Sequence, residues 1–120
     1  GDIMSYFYNA DNLSSKQLAE GINLKTLWGK NIMMSLVEMD ANSEVPKHSH
    51  PHEQAGIVLE GEFEFIIGDE SKIIKKGEFY IIPGNIEHKV IVGNAPSVAL
   101  DIFSPPREEY KSESVKYKLS

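Results

Sequence analysis

The sequence predicts an all-β single domain, a small barrel or sandwich preceded by one short helix. Three observations carry that expectation. From Asn23 onward the chain is a succession of short stretches rich in Ile, Val, Leu and Phe, broken by Gly, Asn, Asp and Pro, which is how strands joined by tight turns read. The mixed faces of "EFEF" and "KIIK" give a strand one side for a core and one for solvent. A length of 120 residues with 41% hydrophobic content suits one domain with a real core and leaves no room for a second.

Taken in order, the chain begins with residues 1–22, a segment with one run of helical spacing. In "SSKQLAEG", Ser14 or Ser15 can cap a helix of about two turns that Gly21 ends. The strands "NLKTLW" and "NIMMSLVEM" follow, joined by a hairpin turn at Gly29-Lys30. Next come "AGIVLE", "EFEFII", "KIIKK", "EFYIIP", "HKVIV" and "SVALDIF", with turns at Glu60-Gly61, Gly68-Asp69, Lys76-Gly77, Pro83-Gly84-Asn85 and Gly93-Asn94. About eight strands are thus expected to form a barrel over residues 23–106. The charged tail, residues 107–120, is expected to wrap the domain, reach a partner subunit or fray.

Charge and composition remove several function classes. Net charge is −6 and the basic residues are scattered, so no surface is evident through which counterion release could drive nucleic-acid binding. The chain has no cysteine, which excludes a disulfide framework, thiol catalysis and cysteine-ligated metals. No apolar run approaches the roughly 20 residues of a membrane span, and a soluble, cytoplasmic protein is the expectation.

The stretch "HSHPHEQ", residues 48–54, concentrates donor atoms. His48, His50 and His52 share the period of a strand, although Pro51 argues against a regular strand through them. Imidazole with carboxamide or carboxylate donors suits Zn, Ni, Fe, Mn or Cu. A lone histidine is more often a surface or core residue, but three in five positions point to a metal. The remaining histidine, His88, opens the distant strand "HKVIV". In a small barrel distant strands pass close together, so His88 can complete the site that the cluster begins.

In the last strand, Val98, Leu100 and Ile102 alternate onto one face, read as core against the outside of the sheet. Ala99, Asp101 and Phe103 share the other. A carboxylate buried among apolar residues without a partner costs several kcal/mol, so Asp101 either lines a wet pocket or sits on a solvated outer face. Arg107 follows "SPP" and offers a planar fork suited to a carboxylate. Its competing reading is an ion pair with Glu108 or Glu109 in an exposed tail.

Together these residues resemble the two short motifs of the cupin superfamily. His48 and His50 match the His-x-His pair, Gln54 falls where a glutamate is expected, and Gly61 follows at the motif spacing. Gly77, Pro83 and His88 fit the second motif. Asn42 and Asn85 replace motif glycines, which turn chemistry tolerates because Asn enters left-handed backbone at modest cost. Val92 stands where Asn is often found. The resemblance implies a double-stranded β-helix, or jelly-roll barrel, holding one divalent transition metal ion (Ni, Zn, Mn or Fe) on His48, His50, Gln54 and His88. The neutral amide of Gln54 would leave that ion a stronger Lewis acid than a carboxylate would. Glu53 lies one residue early and faces away; His52 is either at the pocket mouth or a plain surface histidine.

With "VLEGEFEF", "YIIPGNIEH" and "LDIFSPPREEY" included, the chain resembles a narrower cupin group that includes the pectin-degradation protein KdgF. That resemblance implies an enzyme linearising and ketonising 4,5-unsaturated monouronates from pectin or alginate breakdown, with Asp101, Phe103 and Arg107 as catalytic and substrate-binding residues. It also implies a homodimer exchanging the N-terminal segment or the tail. Two other readings share the same barrel: a metal-dependent dioxygenase or different isomerase, and a non-catalytic sugar or effector-binding module.

Overall fold

A computed structural model describes residues 6–111 of the chain. Its ten strands are β1 (Ser15–Ala19), β2 (Ile22–Trp28), β3 (Met33–Met39), β4 (Glu44–His48), β5 (Glu53–Glu60), β6 (Glu62–Ile67), β7 (Glu70–Lys75), β8 (Phe79–Ile82), β9 (His88–Val92) and β10 (Ser97–Ser104). They make a six-stranded sheet ordered β1-β2-β3-β10-β5-β8 and a four-stranded sheet ordered β4-β9-β6-β7. Every pairing is antiparallel. From β3 onward the chain alternates between sheets, except at the β6–β7 hairpin, as a jelly-roll barrel requires. Among the described residues no helix is long and apolar enough to cross a membrane. The expected roles of the tail beyond residue 111 lie outside the described residues.

The expected helix is not where its spacing placed it. "SSKQLAEG" forms β1, which pairs along the edge of the sheet with β2. Two turns of helix are too short to hold themselves together in water, whereas as an edge strand the segment gains a ladder and packs Leu18 and Ala19 on the core. Gly21, at φ 79°, makes the turn between β1 and β2 instead of ending a helix. The helical turn that precedes the barrel is a 3-10 turn at Ala10–Asn12, where the Asn9 side chain accepts from the Asp11 amide at 2.9 Å.

The expected turns join the strands. Asn42 and Asn85 hold φ of 63° and 68°, so each occupies the left-handed conformation for which Asn is the substitute closest to glycine. Between the sheets, Ile22, Leu24, Met33, Val58, Ile82 and Phe103 are almost wholly buried. On β10, Ala99 and Phe103 face this core. Val98, Leu100 and Ile102 were expected to be core on the sheet's outer side, but no layer of the described chain covers them: Val98 and Leu100 are half-buried and Ile102 is 37% exposed.

Candidate metal centre

Four side chains from two sheets and one loop converge at one end of the barrel. His48 and His88 are register partners across β4 and β9 in the four-stranded sheet, with ring centroids 4.3 Å apart. β4 ends at His48, and His50 projects from the loop between β4 and β5, just ahead of Pro51. Gln54, on β5 of the other sheet, is buried, while its neighbour Glu53 is exposed. Ligating atoms of His48, His50 and His88 lie within 4.8 Å of one another.

The hydrogen bonds around these rings aim them. Nδ1 of His48 donates to the Pro46 carbonyl at 2.8 Å, that of His50 to the His52 carbonyl at 3.0 Å, and that of His88 to the Ile86 carbonyl at 2.9 Å. With each Nδ1 carrying the proton, each Nε2 presents a lone pair. His88 Nε2 is buried without a partner, and His50 Nε2 faces Gln54 Oε1 at 3.1 Å. Lone pairs turned toward one another are relieved by a shared cation, so the donor set fits a divalent ion. Burial, reinforced by neighbouring positive charge, lowers the pKa of His50 and brings that of His88 down to about 4. At neutral pH both are neutral, the form in which an imidazole can ligate a metal.

Beside the cluster stand the two charged groups singled out in the sequence. The Asp101 carboxyl is enclosed by packed atoms although the residue keeps some exposed surface. Desolvation raises its pKa from 3.8 to about 6, against the opposing hydrogen bonds from Tyr80 and Gln54 and the charge of Arg107. Tyr80 Oη donates to Asp101 Oδ1 at 2.5 Å. Arg107 is 7% exposed, which corrects the reading of it as part of an exposed tail. Its guanidinium lies 4.0 Å from the Tyr110 ring centroid and 5.3 Å from that of Phe103. Nη1 donates to Tyr110 Oη at 2.8 Å, Nη2 is 3.5 Å from Glu109, and Nε is buried without a partner.

His48, Gln54, His88, Asp101, Phe103 and Arg107 line one pocket between the sheets. A cupin domain model (Cupin_2) matches residues 35–103 of the chain. The chain belongs to the cupin family. This cupin is 31% identical over 109 residues to the pectin degradation protein KdgF of Dickeya dadantii, covering 89% of this chain and 99% of that protein. The structure of KdgF from a Halomonas species superposes with a TM-score of 0.81 at 27% identity, covering 89% of this chain and 100% of the other. An RmlC-like cupin from Shewanella frigidimarina superposes with a TM-score of 0.83 at 23% identity, covering 89% and 96% of the two chains.

Sequence reasoning passed over two pocket residues of this cupin. Tyr80 points inward from β8 between the outward Phe79 and Ile81, and no signal local to "EFYIIP" says what it meets. Tyr110 does carry a signal, since it stands three residues after Arg107, one turn away on a 3-10 turn at Glu108–Tyr110. His52 contributes its backbone carbonyl to orient His50, and its own ring lies 5.5 Å from that of His50.

Proposed function

We propose that this cupin is an enzyme that opens and ketonises a small 4,5-unsaturated monouronate of the kind released by pectin or alginate lyases. The observation that carries the reading is the placing of a buried Asp101 carboxyl, with pKa about 6, in the pocket shared by the histidine cluster and the buried Arg107 guanidinium. Similarity to the pectin degradation protein KdgF over nearly its whole length supports the substrate class.

His48, His50, Gln54 and His88 would hold one divalent transition ion, Ni, Zn, Mn or Fe. When bound, such an ion supplies Lewis-acid polarisation of a substrate oxygen. Arg107, its plane fixed by Phe103 and Tyr110 and its Nε lacking a partner, binds the sugar carboxylate. Phe103 packs on the sugar ring. Asp101 takes the proton of the anomeric hydroxyl as the carbonyl forms and the ring carbon–oxygen bond breaks. The former ring oxygen is left as an enolate oxygen, and Asp101 returns the proton to the enolate carbon to give the ketone. No atom is gained or lost, and the acid–base group ends as it began. A carboxyl with pKa about 6 is suited to move a proton both ways near neutral pH.

A homodimer belongs to the same reading, its support being the apolar face of the six-stranded sheet that no described residue covers. So does a cytoplasmic setting, where a monomeric sugar acid would be metabolised. The test of function is incubation of the metal-loaded protein with unsaturated monouronates while following the ultraviolet absorbance of the double bond. The absorbance should decay faster than in a protein-free control, and a chelator should abolish the difference. Decay at the control rate with metal bound would overturn the reading.

A further inference from the structure

We propose that Tyr80 is a positioning residue for the Asp101 carboxylate, and that Gly56 is the slot through which it reaches. The inference rests on the proton-transfer role given to Asp101 and extends it to two residues on neighbouring strands. In the six-stranded sheet Asp101 of β10 is the register partner of Gly56 of β5, and Gly56 is the partner of Tyr80 of β8. The three positions therefore lie on one line across the sheet, and residues directly opposite share a face.

Adjacent strands are about 4.8 Å apart, so roughly 10 Å separates Tyr80 from Asp101 along this line. A tyrosine can span most of that gap only if the position between carries no side chain. A Cβ on Gly56 would run into Cε2, Cζ and the hydroxyl of Tyr80, which puts the phenol directly over the glycine. Gly56 is not among the glycines with positive φ, so the requirement is for space and not for unusual backbone. Tyr80 is 7% exposed and packs edge-on against Phe65 at 4.8 Å between centroids. Held there, its hydroxyl reaches Asp101 Oδ1. That bond comes from a donor on a rigid strand and sets the orientation of the carboxyl toward the pocket.

The test is a double-mutant cycle on Tyr80→Phe and Gly56→Ala in metal-loaded protein, with kcat, KM and metal content for the unsaturated monouronate. A parallel readout without substrate is the side-chain carboxyl ¹³C resonance of Asp101. Tyr80→Phe removes one hydroxyl and should lower kcat about 10- to 100-fold, with KM and metal content unchanged and the carboxyl resonance displaced. Gly56→Ala should do the same by pushing the ring aside, and in the Tyr80→Phe background it should cost no further kcat. If Gly56→Ala does not fold, Gly56→Ala/Tyr80→Leu should restore folding by shortening the side chain above; failure to restore it counts against the slot. Unchanged kcat and an unmoved carboxyl resonance in Tyr80→Phe would overturn the proposal. If the wild type does not turn over the sugar, the proposed function fails while the carboxyl resonance still decides the positioning.

Discussion

Asp101 is held where its ionised form is disfavoured, and this has two measurable consequences. As the proton carrier it should be indispensable, so Asp101→Asn is expected to lower kcat by about 10²–10⁴-fold while the metal stays bound. Full turnover with metal bound would remove the role. The second consequence is on stability. The folded-state pKa of about 6 exceeds the ordinary 3.8, so between these values the native chain binds more protons than the unfolded one. Wild-type stability therefore falls as pH rises through this window, and above it the cost is in full, about 3 kcal/mol. Asp101→Asn should be the more stable protein at pH 7, by up to that amount, with the gap closing as pH falls below 6 toward 4. Urea denaturation of both metal-free proteins at two pH values checks it. At this scale the sequence was informative as far as candidates go, because His48, His50, Gln54 and His88 could be named from the two motifs, and Asp101, Phe103 and Arg107 from the resemblance carried by "LDIFSPPREEY". Tyr80 could not be, since its meaning comes from Gly56 and Asp101 on two other strands.

The segment after β10 shows how an element turns a tail charge into a pocket wall. One 3-10 turn at Glu108–Tyr110 brings Tyr110 back over Arg107, and the guanidinium lies against the Tyr110 ring with the Phe103 ring beside it. Lysine keeps the charge but loses the plane and the fork. Arg107→Lys is therefore expected to raise KM for the uronate by about 10- to 100-fold, the loss of a charge-assisted hydrogen bond, with a smaller effect on kcat. Steady-state kinetics decide it, and an unchanged KM would dissociate Arg107 from substrate binding. The same scale holds the error at β1. Helical spacing in "SSKQLAEG" is a local signal, and the partner strand that overrode it, β2, becomes visible only once the chain has folded.

Across the whole molecule, the outer face of the six-stranded sheet has no cover among the described residues. Two rows of register partners run across five strands there: Leu27, Met34, Ile102, Ala55 and Ile81 in one, and Lys25, Leu36, Leu100, Ile57 and Phe79 in the other. Phe79 and Ile81 are 74% and 68% exposed. Lys25 is the one charge in these rows, and it is paired with Glu38. Strand and row spacings make this a patch on the order of 400 Å², large for a monomer surface and about half of what one partner buries in a standard interface. A second copy can cover it about a two-fold axis without opposing like charges. Sedimentation should show a dimer, and Ile81→Lys should yield folded monomers; a monomeric wild type at micromolar concentration would overturn the homodimer.

What the sequence determined by itself is what local chemistry encodes: the strand alternation, the turns at Gly and Asn, the donor types and their spacing in "HSHPHEQ" and at His88. Even Asn42 and Asn85 could be read as left-handed, because φ is a property of one residue and its neighbours. What only the tertiary structure decided is whatever depends on register between distant strands. It made β1 a strand, left the outer face of β10 without cover among the described residues, and laid Tyr80 across Gly56 onto Asp101. The physical reason is that cross-strand neighbours are chosen by the packing of two whole sheets, and a stretch of chain carries no record of what will lie about 4.8 Å beside it.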